Sequence, residues 1–109
     1  MKQTETILKE VGKERERQDK KWGEQNHPLM HPETAFTKEE YKKTADLHKE
    51  RCDDRAKAGI VSWYDILMEE VYEVFAEEDI EKQKEELVQV AAVAVLIVEC
   101  LDRNNKNSA

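Results

Sequence analysis

Residues 69–95 read EEVYEVFAEEDIEKQKEELVQVAAVAV. The first half mixes acids with apolar residues at helical spacing. The closing LVQVAAVAV is apolar enough for the middle of a core, with Gln89 as its polar interruption. On a helical wheel at about 100° per residue, Glu70, Glu73 and Glu77 fall within about 60° of one another. Trp63, Leu67, Val71 and Val74 crowd the adjacent arc, and Ile66 lies inside the glutamate arc. The acidic line therefore borders the buried face, whereas a purely solvated stripe would oppose it. Asp65, Glu69, Tyr72 and Ala76 are expected further round, toward solvent.

The following segment extends the pattern. VQVAAVAVLIV, residues 88–98, is apolar on nearly every face, so it is expected to be surrounded, inside the chain or at an oligomer interface. Glu86, Gln89, Val93 and Ile97 form one line on it, which brings Glu86 and Gln89 to the core edge. If the two helices pack antiparallel, Glu70, Glu73 and Glu86 converge. Clustered, partly buried carboxylates repel one another and lose hydration. A hard cation with oxygen preference resolves both problems: Mg²⁺, Mn²⁺ or Ca²⁺. The plainer reading is that glutamates on an acidic helix are solvated. The boundary position and the matching Glu86 weigh against it.

Composition sets the frame. The chain has 109 residues, a length suited to one domain, residues 1–109, with a small core. Charged residues make up 39%, above the usual share of about 25%, and Gly and Pro are few, which favours long amphipathic helices. The net charge of −7 disfavours nucleic acid, which needs clustered Lys and Arg, but is compatible with divalent cations or a phosphorylated substrate carrying them. Cys52 and Cys100 have no CxxC partner, so each reads as a buried, reduced cysteine. The longest apolar run, residues 87–98, contains Gln89 and falls short of the roughly 20 residues a membrane span needs. No apolar stretch of signal-peptide length appears in the charged first thirty residues. A soluble, cytoplasmic protein without membrane contact is expected.

Helical segments are expected at about residues 4–21, from Thr37 to near Gly59, from Ser62 onward, and from Asp79 to about Asp102. The capping box TKEE opens the second, with Thr37 as cap and Glu40 reaching back. Gly59 should end it in a left-handed conformation. Ser62 caps the third segment, with Asp65 at the third position of SWYD, and Asp79 caps the fourth. The terminal DRNNKNSA is expected to fray. Absence of strand-like alternation points to an all-α fold, a four-to-five-helix bundle. So small a bundle cannot cover a helix apolar on all sides, so completion by oligomerisation is expected, as a homodimer or a dimer of dimers.

EEVYE, then twelve residues, then ELVQ resembles the signature of the MazG-like all-α NTP pyrophosphohydrolases, ExxE, a spacer and ExxD. ERERQDKKWGEQNHP, residues 14–28, is similar to the leading helix and loop of small bacterial and phage members, and VAAVAV to the buried helix after the motif. The resemblance covers most of the chain and is weakest over residues 29–60. It implies cleavage of a nucleoside triphosphate between the α and β phosphates, giving a monophosphate and pyrophosphate. Glu70, Glu73 and Glu86 match the catalytic, metal-holding positions, with Mg²⁺ as cofactor and Mn²⁺ able to substitute. Glu73 is the candidate bridging ligand, and Glu69 and Glu77 both stand as candidates for the base. Gln89 stands where the family has aspartate. Its neutral carbonyl oxygen can ligate a cation but carries no charge and cannot act as a base.

The resemblance also makes Trp22 an aromatic wall for the base, against the plainer reading of a packing tryptophan. Arg15, Arg17, Lys20 and Lys21 are candidates for phosphate contact, although most must be solvated charges. Arg103, just after the apolar helix, is the better-placed candidate. His27 and His31 are four apart, but Pro28 and Pro32 oppose the continuous helix that paired histidine ligands need, and His48 stands apart from both. Two other classes remain open: a catalytically impaired nucleotide-binding module, and a small acidic helical interaction protein.

Overall fold

The structure, a computed structural model, describes residues 2–30 and 38–107. It is all-helical among these residues, with four helices: α1 Lys2–Trp22, α2 Lys38–Lys57, α3 Trp63–Ala76 and α4 Ile80–Asn107. The chain divides into two compact units, Met1–Pro28 with Ala94–Ala109, and Leu29–Val93. Among the described residues no helix is long and apolar enough to cross a membrane.

In the first unit, α1 buries Ile7 and leaves Leu8 and Val11 largely exposed. Its charged second half stays in solvent, and Gly23, in the left-handed region at φ 69°, ends it by donating to the Asp19 carbonyl at 2.7 Å. The end of α4 contributes the buried Val95 and Glu99. The Glu99 carboxylate accepts a short hydrogen bond from the Thr4 hydroxyl, and its carbonyl accepts one from Gln3 Nε2 at 3.4 Å.

In the second unit, α2 and α3 form an antiparallel hairpin. Gly59, at φ 73°, reverses the chain after α2 with the Ile60 amide on the Arg55 carbonyl and the Gly59 amide on the Ala56 carbonyl. Ser62 then caps α3: its hydroxyl accepts from the Asp65 amide at 3.3 Å, and its amide donates to Asp65 Oδ2 at 3.0 Å. Val74, 1% exposed, forms the centre of the hairpin, flanked by ring contacts of Tyr41 with Phe75 and of His48 stacked on Tyr72 at 4.6 Å.

Several expectations change here. Asp65 does not face solvent. It is 2% exposed, capping Ser62 and ion-paired to Arg55 of α2. Those partners hold the carboxyl below its ordinary value, the Ser62 amide first. The fourth helix runs on to Asn107 rather than ending near Asp102, because nothing from 80 to 107 breaks it and Asn104 Nδ2 contacts Cys100 Sγ at 3.7 Å. Nor is its apolar surface enclosed within the chain: Val88 is 69% and Leu101 59% exposed, with Leu87 and Leu96 also open. Cys52 and Cys100 are both free, Cys52 buried and Cys100 half-buried. Burial pushes the Cys52 thiol up to about 11, helped by the neighbouring Glu69. The capping role expected of Thr37 and the position of His31 lie outside the described residues.

Candidate metal centre

The carboxylates of Glu70 and Glu73 come from α3 and that of Glu86 from α4. Glu70 and Glu73 are three residues apart and so share one face of α3. The α3–α4 corner is short, and Asp79 starts α4 at once by accepting from the Lys82 amide at 3.1 Å. The chain therefore turns back and brings Glu86 against the pair. Each of the three offers one oxygen, and these oxygens all lie within 4.8 Å of one another. All three residues are half-buried.

The electrostatics are unfavourable as the residues stand. Glu70 Oε2 and Glu86 Oε2 are buried and accept no hydrogen bond. Burial raises the Glu70 carboxyl, with the charges of Glu86 and Glu69 adding to it. Glu73 is pushed up to about 7, first by burial, then by a hydrogen bond shared with Glu86 and by the charges of Glu70, Glu86 and Glu69. A buried acceptor without a donor costs about 1–3 kcal/mol, a cost that a cation bonded to both oxygens would remove.

The donor set fits a hard divalent cation. It is all oxygen and multiply charged, and leaves room for water or phosphate oxygens to complete a six- to eight-fold shell. Oxygen bonds of roughly 2.1–2.5 Å allow donors on one cation to be at most about 4–5 Å apart, and these three oxygens lie within 4.8 Å of one another.

Gln89 is not gathered with them. It is exposed and lines a shallow surface depression with Glu81, Lys84, Glu85 and Val88. Glu77, the last of the glutamate stripe, is diverted: as the C-cap of α3 its Oε1 accepts from the amides of Glu78 at 3.1 Å and Asp79 at 3.2 Å. Glu69, expected in solvent, is half-buried and close enough to raise Glu70, Glu73 and Cys52. A single-helix wheel could not show this, because Cys52 of α2 narrows that side of α3.

The other candidates lie in the first unit. Arg17 is bonded through two nitrogens to Glu14 at 2.5 and 2.7 Å, and its guanidinium draws the Glu14 carboxyl down to about 2. The Lys21 ammonium sits 4.7 Å from the centroid of the Trp22 ring, and Trp22 is 55% exposed, not a core residue. Trp22 also lines a cleft of about 570 Å³ with Arg15, Gln18, Asp19 and Glu24. Arg103 is exposed. Comparison of the chain with family models, with curated proteins and with solved structures found no match.

Proposed function

We propose that the chain is a Mg²⁺-dependent nucleoside triphosphate pyrophosphohydrolase of the MazG-like all-α class, acting on standard or damaged nucleotides. The carrying observation is the convergence of Glu70, Glu73 and Glu86 from two helices, with two of their oxygens buried and unpartnered. The twelve-residue spacer between EEVYE and ELVQ supports the same reading.

Bound Mg²⁺, or Mn²⁺ in its place, would offset phosphate charge and acidify a coordinated water. Glu70, Glu73 and Glu86 are the residues that would hold it, with Glu73 central because it faces both others. Glu69 is the base of this proposal, since the Glu77 carboxylate is engaged by backbone amides. A water oxygen bonds to the α-phosphorus, its proton passes to Glu69, and the bond from that phosphorus to the α–β bridging oxygen breaks. Pyrophosphate leaves with the electron pair. Trp22, Lys21, Arg17 and Arg103 stay as candidate substrate contacts, readable as changes in KM.

The exposed apolar side chains of α4 support a homodimer or dimer of dimers, since a second chain would cover Val88 and Leu101. A stable folded monomer at micromolar concentration in sedimentation would exclude this. Gln89, neutral and exposed, favours a second reading, a module that binds nucleotide and metal without turnover. Pyrophosphate release over a panel of standard and modified nucleotides, with Mg²⁺ and Mn²⁺, separates the two. Metal and nucleotide binding without release establishes the sequestering module, and orthophosphate release would mean attack at the γ-phosphorus.

A further inference from the structure

Lys38 is the first residue of α2, a poor place for a cation with respect to its own helix dipole. Its ammonium instead reaches across to the far end of α3. There Nζ donates to the carbonyls of Phe75 at 3.1 Å and Glu77 at 2.7 Å. These are among the unsatisfied carbonyls of a helix C-terminus. The last turn of α3 contains no basic residue of its own, so Lys38 supplies the charge that this end lacks. Gln83 of α4 donates to the same Glu77 carbonyl at 2.6 Å. One carbonyl therefore gathers a side chain from α2 and another from α4, at the corner joining the two helices that carry the acidic site.

The corner also carries short-range bonds, the Glu77 carboxylate on two amides and the Asp79 cap, and the Phe75 ring meets Tyr41 of α2 beside it. Glu73 lies one turn before this corner, and Glu73 O accepts the Glu77 amide at 3.1 Å. Glu86 lies less than one turn beyond Gln83. A shift at Glu77 is thus transmitted to both sides of the carboxylate cluster.

We propose that Lys38 is a positioning residue for the carboxylate site: by bonding the C-terminal carbonyls of α3 it fixes the α3–α4 corner and holds Glu86 against Glu70 and Glu73. This rests on the reading of those three as a cation site. The test compares Lys38→Met, which keeps the apolar stem and removes the donors, with Lys38→Arg, which restores donors and charge. Two readouts are taken on the full chain: Mn²⁺ affinity by calorimetry, and the Glu73 carboxyl titration followed by carbon NMR without metal. Lys38→Met should weaken Mn²⁺ severalfold, up to about the tenfold that loss of a direct outer-shell contact to a ligand costs. It should also return Glu73 toward an ordinary glutamate titration, with Lys38→Arg recovering both. Should Lys38→Met fold but leave the Glu73 titration and Mn²⁺ affinity at parental values, Lys38 is only a helix cap and the proposal falls. If the parent binds no Mn²⁺ while Lys38→Met still shifts the Glu73 titration, the metal reading fails and the positioning role stands. If Lys38→Met does not fold, Lys38→Gln, a shorter neutral donor, takes its place under the same two criteria.

Discussion

Replacing Glu73 by Gln should stabilise the metal-free protein at alkaline pH and abolish its response to metal. In the folded chain the Glu73 carboxyl keeps its proton up to about 7, whereas the unfolded chain releases it near 4.5. Between those values the folded state binds more protons, so stability declines as pH rises. The favourable contribution is fully present below about 4.5 and lost above about 7. At ~1.36 kcal/mol per pH unit the gap sets a ceiling of about 3.4 kcal/mol. Glu73 is half-buried, so solvent screening brings the realistic figure to about 1–2 kcal/mol. For a chain of this size that is a melting shift of roughly 5–12 °C.

A neutral glutamine neither titrates nor repels Glu70 and Glu86. The difference in melting temperature between parent and Glu73→Gln should therefore be small at pH 4.5 and grow in favour of the variant toward pH 8. Mg²⁺ should reverse the order at pH 8. At a hundredfold excess over Kd it stabilises the parent by about 2.7 kcal/mol, and the variant by far less. Thermal melts of both proteins at both pH values, with Mg²⁺ and with chelator, supply the four parent–variant differences needed. A variant no more stable than the parent at pH 8 without metal, yet equally stabilised by Mg²⁺, would show that Glu73 is an ordinary solvated glutamate.

Gln89→Asp adds a carboxylate within one turn of Glu86 and should tighten Mn²⁺ about fivefold by through-space attraction; unchanged calorimetric affinity would place position 89 outside the field of the site. Val74→Ala opens a hole at the most buried side chain of the α2–α3 hairpin and should cost about 2 kcal/mol in a urea titration. Ser62→Ala removes the cap of α3 and should cost about 1 kcal/mol, lowering the melting temperature by several degrees while leaving Mn²⁺ affinity unchanged. Val88→Lys puts a charge on a side chain 69% exposed in the single chain. If α4 is an oligomer contact the variant should sediment at lower mass, and an unaltered mass would show that Val88 lies outside it.

Features of the fold that depend on a few adjacent residues were legible in the sequence. The Ser62 and Asp79 caps and the Gly59 reversal each rest on hydrogen bonds reaching at most five residues along the chain. The meeting of Glu70, Glu73 and Glu86 was also accessible, because helical spacing supplies two of the three and a short antiparallel corner supplies the last. Contacts set by another helix were not. Asp65 looks solvent-facing on a wheel until Arg55 arrives from α2, and Lys38 finds its partners 37 and 39 residues away. Gln89 shares a line with Glu86 on a wheel, but one turn further along α4 moves it out of the cluster. The apolar sequence of residues 88–98 signals burial without naming what does the burying, and the single chain leaves much of that surface open.

Cations from the two ends of α2 clasp the two ends of α3, Lys38 at its C-terminus and Arg55 at its N-terminus. Such a doubly fastened hairpin can open as a cooperative block of its own inside the Leu29–Val93 unit that it shares with the α4 segment carrying Glu86. Without metal, mutual repulsion falls on the junction of Glu86 with that block, while the hairpin keeps its core around Val74. Amide exchange of residues 80–93 should then be fast relative to that of α2 and α3, and it should slow selectively when Mn²⁺ is added. Assembly of the site would in that case coincide with docking of α4, so that metal availability governs how much of the population carries a completed centre.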